Sequence, residues 1–297
     1  MMEPDRKELL EDYNTYLHEQ LESLDLPQKE LTHRCAALTQ ALNNSTKGRI
    51  DTRYYNLAHE IKALHFLRIF GELEPALDYK HTDGCDVILD DHYQIEFVCA
   101  SPGTNTAESG YDRFSVRNLK GFMINDYAEK ERFLFTRIAT ALDAKLSFYK
   151  KHIPNNSISN DKPYLIFLGL GELAIEIFCG DNGISLTGVL LGKGCPTITI
   201  SGDGTVIDRG YTHNENFPKY NGAPIDCNLF CREEYCCISG VIFSEADLFT
   251  DYTTQNTWLF LNPFAKNKIR KKDFPGMVYW SANKYGDYSP RRNGKRI

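Results

Sequence analysis

The chain lacks any run of eighteen apolar residues, so no membrane-spanning helix is expected. Its first stretch, MMEPDRKELLEDYN, is charged and has no apolar signal core, which makes a cytoplasmic protein the expectation. The eight histidines include no H-E-x-x-H pair, and no Ser-His-Asp arrangement is legible. There is no internal repeat and no low-complexity tract. The nine cysteines are odd in number, which argues for reduced thiols over a disulfide framework. Four crowd together as Cys227, Cys231, Cys236 and Cys237, but without the C-x2-C knuckle usual for zinc; buried thiols are the simpler reading. GLGEL, from Gly169 to Leu173, has only two of the three glycines of a dinucleotide fingerprint.

What is present suits a folded protein. The 297 residues are enough for one large domain or two ordinary ones, and 42% apolar with 12% aromatic content supports a real core. The net charge of −6 is not that of a general nucleic-acid coat protein. It is unevenly spread. Residues 266–297 hold ten Lys or Arg against two Asp, so an acidic body carries a basic end segment. That segment suits phosphate contacts and equally suits a solvated, frayed terminus.

Helical periodicity runs through Glu8–Leu24 and Pro27–Asn44, and again from Arg53 to Gly71, where the glycine can end the helix. Two short strands follow within GCDVILDDHYQIEFVCAS, from Gly84 to Ser101. A long amphipathic helix is expected over Ala128–His152, acidic early and basic late as the helix dipole prefers. PYLIFLGL, CCISGVIFS and TWLFLNP read as buried strands. The glycine-rich stretch 180–224 gives no clear pattern beyond a hairpin turn at GDGT. The order predicts a mixed α/β sheet with helices on its faces.

Side-chain alternation in YQIEFVCA places Ile95, Phe97 and Cys99 on one face and Gln94, Glu96 and Val98 on the other. The hairpin can bring Asp86 close to Glu96. Adjacent carboxylates repel, and a hard divalent cation such as Mg²⁺ removes that penalty. The bland alternative is a turn cap at Asp86 and a solvent-facing strand residue at Glu96. Two helices add weight to the metal reading. Glu60 sits on an apolar stripe with Leu57, Leu64 and Leu67, where a carboxylate needs a partner or a metal. Lys145 shares a stripe with Ile138, Leu142 and Tyr149, with Arg137 at its edge; the bland alternative there is a snorkelling lysine.

A helix glutamate, a strand opened by Asp, a hairpin, a strand acid ten positions on and a following basic helix together resemble the PD-(D/E)XK nuclease superfamily. The resemblance spans roughly residues 50–265 in the order of elements. It implies a restriction-endonuclease-like mixed central sheet flanked by helices, with an N-terminal helical extension. The implied layout is an extension at 1–48, a nuclease-like domain at 49–265 and a basic segment at 266–297. It implies Mg²⁺ or Mn²⁺ held by Asp86, Glu96 and the Phe97 carbonyl, with Glu60 as a further acid. It departs from the family at two positions: Cys85 stands where proline is usual, and Val98 where the catalytic lysine belongs. Lys145 is the candidate replacement. Arg137, Lys268, Arg270, Lys271 and Lys272 are candidate phosphate contacts.

The expected activity is therefore metal-dependent phosphodiester hydrolysis of DNA or RNA, with nucleic acid as partner and homo-oligomerisation left open. The alternative is a catalytically inactive nuclease-fold protein that binds nucleic acid or another protein. A third reading places a nucleotide site in the glycine-rich stretch.

Overall fold

The computed structural model describes residues 6–45, 50–75, 85–101, 124–154, 158–171, 173, 182–213, 215–218, 223–244, 246–282, 288–292 and 295–296. Helices α1 (Arg6–Glu22), α2 (Gln28–Asn44) and α3 (Thr52–Leu67) come first, followed by strands β1 (Leu73–Pro75), β2 (Val87–Leu89) and β3 (Tyr93–Cys99). Next are the long helix α4 (Ile124–His152), strand β4 (Tyr164–Gly169) and helix α5 (Asn182–Leu191). Strands β5 (Lys193–Ile200), β6 (Val206–His213), β7 (Asn216–Pro218) and β8 (Pro224–Asp226) make two small hairpins. The chain then returns to the main sheet with β9 (Ile238–Ser244), β10 (Thr257–Leu261), β11 (Val278–Ala282), β12 (Tyr288–Arg292) and β13 (Lys295–Arg296).

The main sheet has nine strands in the order β1-β2-β3-β4-β9-β10-β11-β12-β13. It is mixed: β3–β4, β4–β9 and β10–β11 run parallel, and the other pairs are antiparallel. Every residue of β4 and β9 is buried, as their unbroken apolar runs require. Alternation along the strands splits the core in two. Ile95, Phe97, Leu165 and Phe167 pack under α1–α3, while Ile166, Leu168 and Val98 pack under α4 and α5. The mixed α/β architecture with helices on the sheet is thus as expected from the sequence. Among the described residues, no helix is long and apolar enough to cross a membrane.

Several details differ from expectation. Helix α3 begins at an Asp51 cap, whose side chain accepts from the Arg53 N–H, and ends at Leu67 rather than Gly71. Gly71 serves close approach instead: a Cβ there would lie 2.1 Å from Asp90 Oδ1, which accepts the Glu72 N–H at 2.8 Å. Asp90 and Asp91 take left-handed φ values of 52° and 47°, which their short polar side chains tolerate, and so turn β2 into β3. Helix α4 starts four residues before Ala128. The stretch around GDGT does turn β5 into β6, with Gly204 at φ 86°.

The segments at either end are built into the fold. α1 and α2 share the α3 core through Leu17, Leu21, Leu38 and Ala41. Residues 266–297, expected as a basic appendage, supply β11–β13 and extend the sheet.

Candidate active site

Asp86 lies at the mouth of the β2–β3 hairpin. Its Oδ2 accepts the Phe97 backbone N–H at 2.5 Å, which ties the start of one strand to the middle of the next. The N–H and C=O of a strand residue point to the same side. Gln94 and Ala100 send their N–H groups to β4, so the odd residue between them, Phe97, turns its backbone toward Asp86. The Phe97 carbonyl therefore opens on the Asp86 edge.

Glu96 projects from the face covered by α4. Its side chain is only 4% exposed, and the Lys145 ammonium of α4 reaches its Oε1 at 2.7 Å. The other oxygen, Oε2, is buried and has no hydrogen-bond partner. Burial pushes the Glu96 carboxyl up, against the pull of the Lys145 ammonium and the Asp86 backbone N–H. Asp86 is pushed up to about 8, first by burial and then by the charges of Glu96 and Glu60. The Tyr164 hydroxyl is also buried and lacks a partner; burial, then Glu96 and Asp86, push it up. Cys85, just before Asp86, is buried and pushed up to about 12, so it is a neutral thiol.

Glu60 has found a partner, as its place on an apolar stripe demands, and that partner is Arg34 of α2. Arg34 Nη1 donates to Glu60 Oε1 at 2.5 Å, and its Nε donates to Glu30 at 2.9 Å. Sequence reading missed Arg34, because the pair spans 26 residues and joins two separate helices. The one available clue was the unexplained carboxylate itself. Behind the site, His59 is buried and pushed down to about 3 by burial, hence neutral. Its Nε2 can only donate to the Phe167 carbonyl, 3.0 Å away, so Nδ1 accepts from the Tyr252 hydroxyl.

Among the described residues, no group of three or more His, Cys, Asp or Glu side chains could hold a metal ion. Glu60 therefore does not close a three-carboxylate set with Asp86 and Glu96. Nor do Cys227, Cys231, Cys236 and Cys237 form a zinc site. The remaining donors are two carboxylates close enough for the charge of Glu96 to raise Asp86, and the Phe97 carbonyl on the Asp86 side of β3. Mg²⁺ and Mn²⁺ accept such hard oxygen donors and complete their shells with water or substrate phosphate. The unsatisfied Glu96 Oε2 is the observation that fits an ion here.

Arg137 does not reach the carboxylates: its Nε donates to the Ser101 carbonyl at 2.5 Å, just past the end of β3. Lys268, Arg270, Lys271 and Lys272 lie elsewhere. Their loop docks at Tyr93, where the Arg270 N–H meets the Tyr93 hydroxyl at 3.2 Å. Tyr93 and Phe97 are separated by about 13 Å of strand. The structure thus brings Asp86, Glu96, Phe97 and Lys145 together and leaves the basic loop apart.

The arrangement sets the Lys145 ammonium against a buried carboxylate and presents a carboxyl at Asp86 that changes charge near neutrality. In comparisons with known proteins, no family model, curated protein or solved structure matches the chain.

Proposed function

We propose that the chain is a metal-dependent phosphodiesterase acting on nucleic acid, a divergent relative of the PD-(D/E)XK nucleases. The observation that carries this reading is Lys145 on Glu96 Oε1 at 2.7 Å, with Glu96 Oε2 buried and unsatisfied beside it. A lysine delivered by α4 stands against the strand acid whose own strand offers Val98 two positions later. The order α3, β1, β2, β3, α4, β4, with β3 parallel to β4, supports a restriction-endonuclease-like core.

Asp86, Glu96 and the Phe97 carbonyl would hold Mg²⁺ or Mn²⁺. When bound, the ion supplies an activated water and stabilises charge on the phosphate. The protein residues do the rest. The Phe97 N–H fixes the Asp86 carboxyl in place. Lys145 orients Glu96 and puts a positive charge where negative charge develops. Arg34 keeps Glu60 outside the ligand set, as a nearby negative charge that raises the demand for a cation.

The test is hydrolysis of plasmid DNA, single-stranded DNA and RNA with Mg²⁺ or Mn²⁺. Turnover is expected with the ion, and Asp86→Ala and Glu96→Ala should each abolish it. Activity surviving both substitutions removes the assignment.

A second reading, a nuclease-like scaffold that only binds, is favoured by one feature. Lys145 already neutralises Glu96, and Glu60 is committed to Arg34, so the site is balanced without an ion. That reading requires no Mn²⁺ affinity and no turnover.

A further inference from the structure

The far edge of the sheet carries a second cluster of charge. Tyr279 on β11 stands opposite Arg291 on β12, and Arg291 stands opposite Arg296 on β13. The Lys271 ammonium lies 4.8 Å from the centre of the Tyr279 ring. Among the described residues, no carboxylate forms an ion pair with Lys271, Arg291, Arg292 or Lys295. Arg291 Nε is buried and has no acceptor. Lys271 and Arg291 therefore present two cations, one with a buried unpartnered N–H, on either side of the Tyr279 ring.

We propose that Lys271 and Arg291, flanking Tyr279, form a ledge that binds the phosphodiester backbone of nucleic acid. Only the choice of ligand class rests on the nuclease reading; the geometry stands without it. Two neighbouring cations are left out of the ledge because their side chains are turned to partners within the chain. Arg270 Nε donates to Asp273 Oδ2 at 2.6 Å, and Lys268 donates to the Pro263 carbonyl. A lipid surface fits less well. The large apolar side chains exposed among the described residues include none on β11, β12 or β13. The ledge lies five strand spacings from β3, about 24 Å across the sheet. Tyr279 belongs to the core face under α1–α3, so with its β12 partner Arg291 the ledge lies on the opposite face of the sheet from Glu96.

The test is fluorescence anisotropy of a labelled DNA duplex of about 24 base pairs with the full chain in EDTA, between about 50 and 200 mM salt. Lys271→Gln and Arg291→Gln should each weaken binding several-fold and reduce the salt slope by about 0.9. Arg291→Lys, which keeps the charge, should restore the slope. Arg53→Gln, an exposed arginine at the start of α3, should bind like wild type. Wild-type affinity and slope in the Lys271→Gln/Arg291→Gln double variant would overturn the ledge. So would binding to phosphatidylserine vesicles without binding to the duplex. Ledge-dependent binding without Mn²⁺-dependent hydrolysis keeps the ledge and removes the catalytic reading. Hydrolysis with binding indifferent to both residues does the reverse.

Discussion

Lys145→Met keeps the length of the side chain and removes its charge. In the native chain the ammonium sits 2.7 Å from Glu96 Oε1, and Glu96 is 4% exposed. Because Oε2 has no partner, the substitution leaves a buried carboxylate with only the pull of the Asp86 backbone N–H. Removing one member of a buried pair costs about 3–5 kcal/mol, and the 20% exposure of Lys145 favours the lower end, about 3 kcal/mol. The loss must depend on pH. Burial already raises the Glu96 carboxyl, and without the ammonium it rises further. A carboxyl raised in the folded state contributes stability below its unfolded pKa of about 4.3 and loses it as pH climbs through the folded value. The deficit should therefore be full near pH 8 and shrink near pH 4. Urea unfolding in a chelating buffer reads this out. With a slope of about 3 kcal/mol per molar, the midpoint should fall by about 1 M at pH 8 and by less than half as much at pH 4.5. The double variant Lys145→Met/Glu96→Gln should recover more than half of the loss. Equal deficits at the two pH values, or a loss below about 1 kcal/mol at pH 8, would refute the buried-pair reasoning.

Asp86 gives a related expectation. Its carboxyl is raised from 3.8 to about 8, so the stability it contributes is present below about pH 4 and lost as pH rises toward 8. Asp86→Asn should flatten that part of the profile and melt higher than wild type at pH 8 without metal; parallel melting curves across pH would count against the raised carboxyl. At Gly169, a new Cβ would lie 2.6 Å from His59 Nδ1, on a ring pinned by Tyr252 and Phe167. Gly169→Ala should cost about 2–3 kcal/mol in urea unfolding, and a loss under about 1 kcal/mol would mean that the ring can move aside.

Much of the site could be read from local pattern, because strand alternation and helix periodicity are local. The alternation through Tyr93–Ala100 places Glu96 opposite Ile95 and Phe97, and the α4 stripe turns Lys145 inward with Ile138 and Leu142. What could not be read depends on contacts distant in sequence. The demand for a partner at Glu60 was visible, but Arg34 could be identified only once α2 lay against α3. The Asp86 bond to the Phe97 N–H needed the hairpin register. The last segment was opaque for a different reason. Edge strands carry charge to discourage pairing with other chains, so the lysines and arginines around β11–β13 looked like a solvated tail.

Whether Asp86 and Glu96 share a divalent cation is read directly from a Mn²⁺-soaked crystal. An anomalous peak is expected in contact with both carboxylates and the Phe97 carbonyl, absent from Asp86→Asn crystals. No peak at full Mn²⁺ exposure, with Lys145 still on Glu96, would contradict it and leave the binding scaffold as the reading.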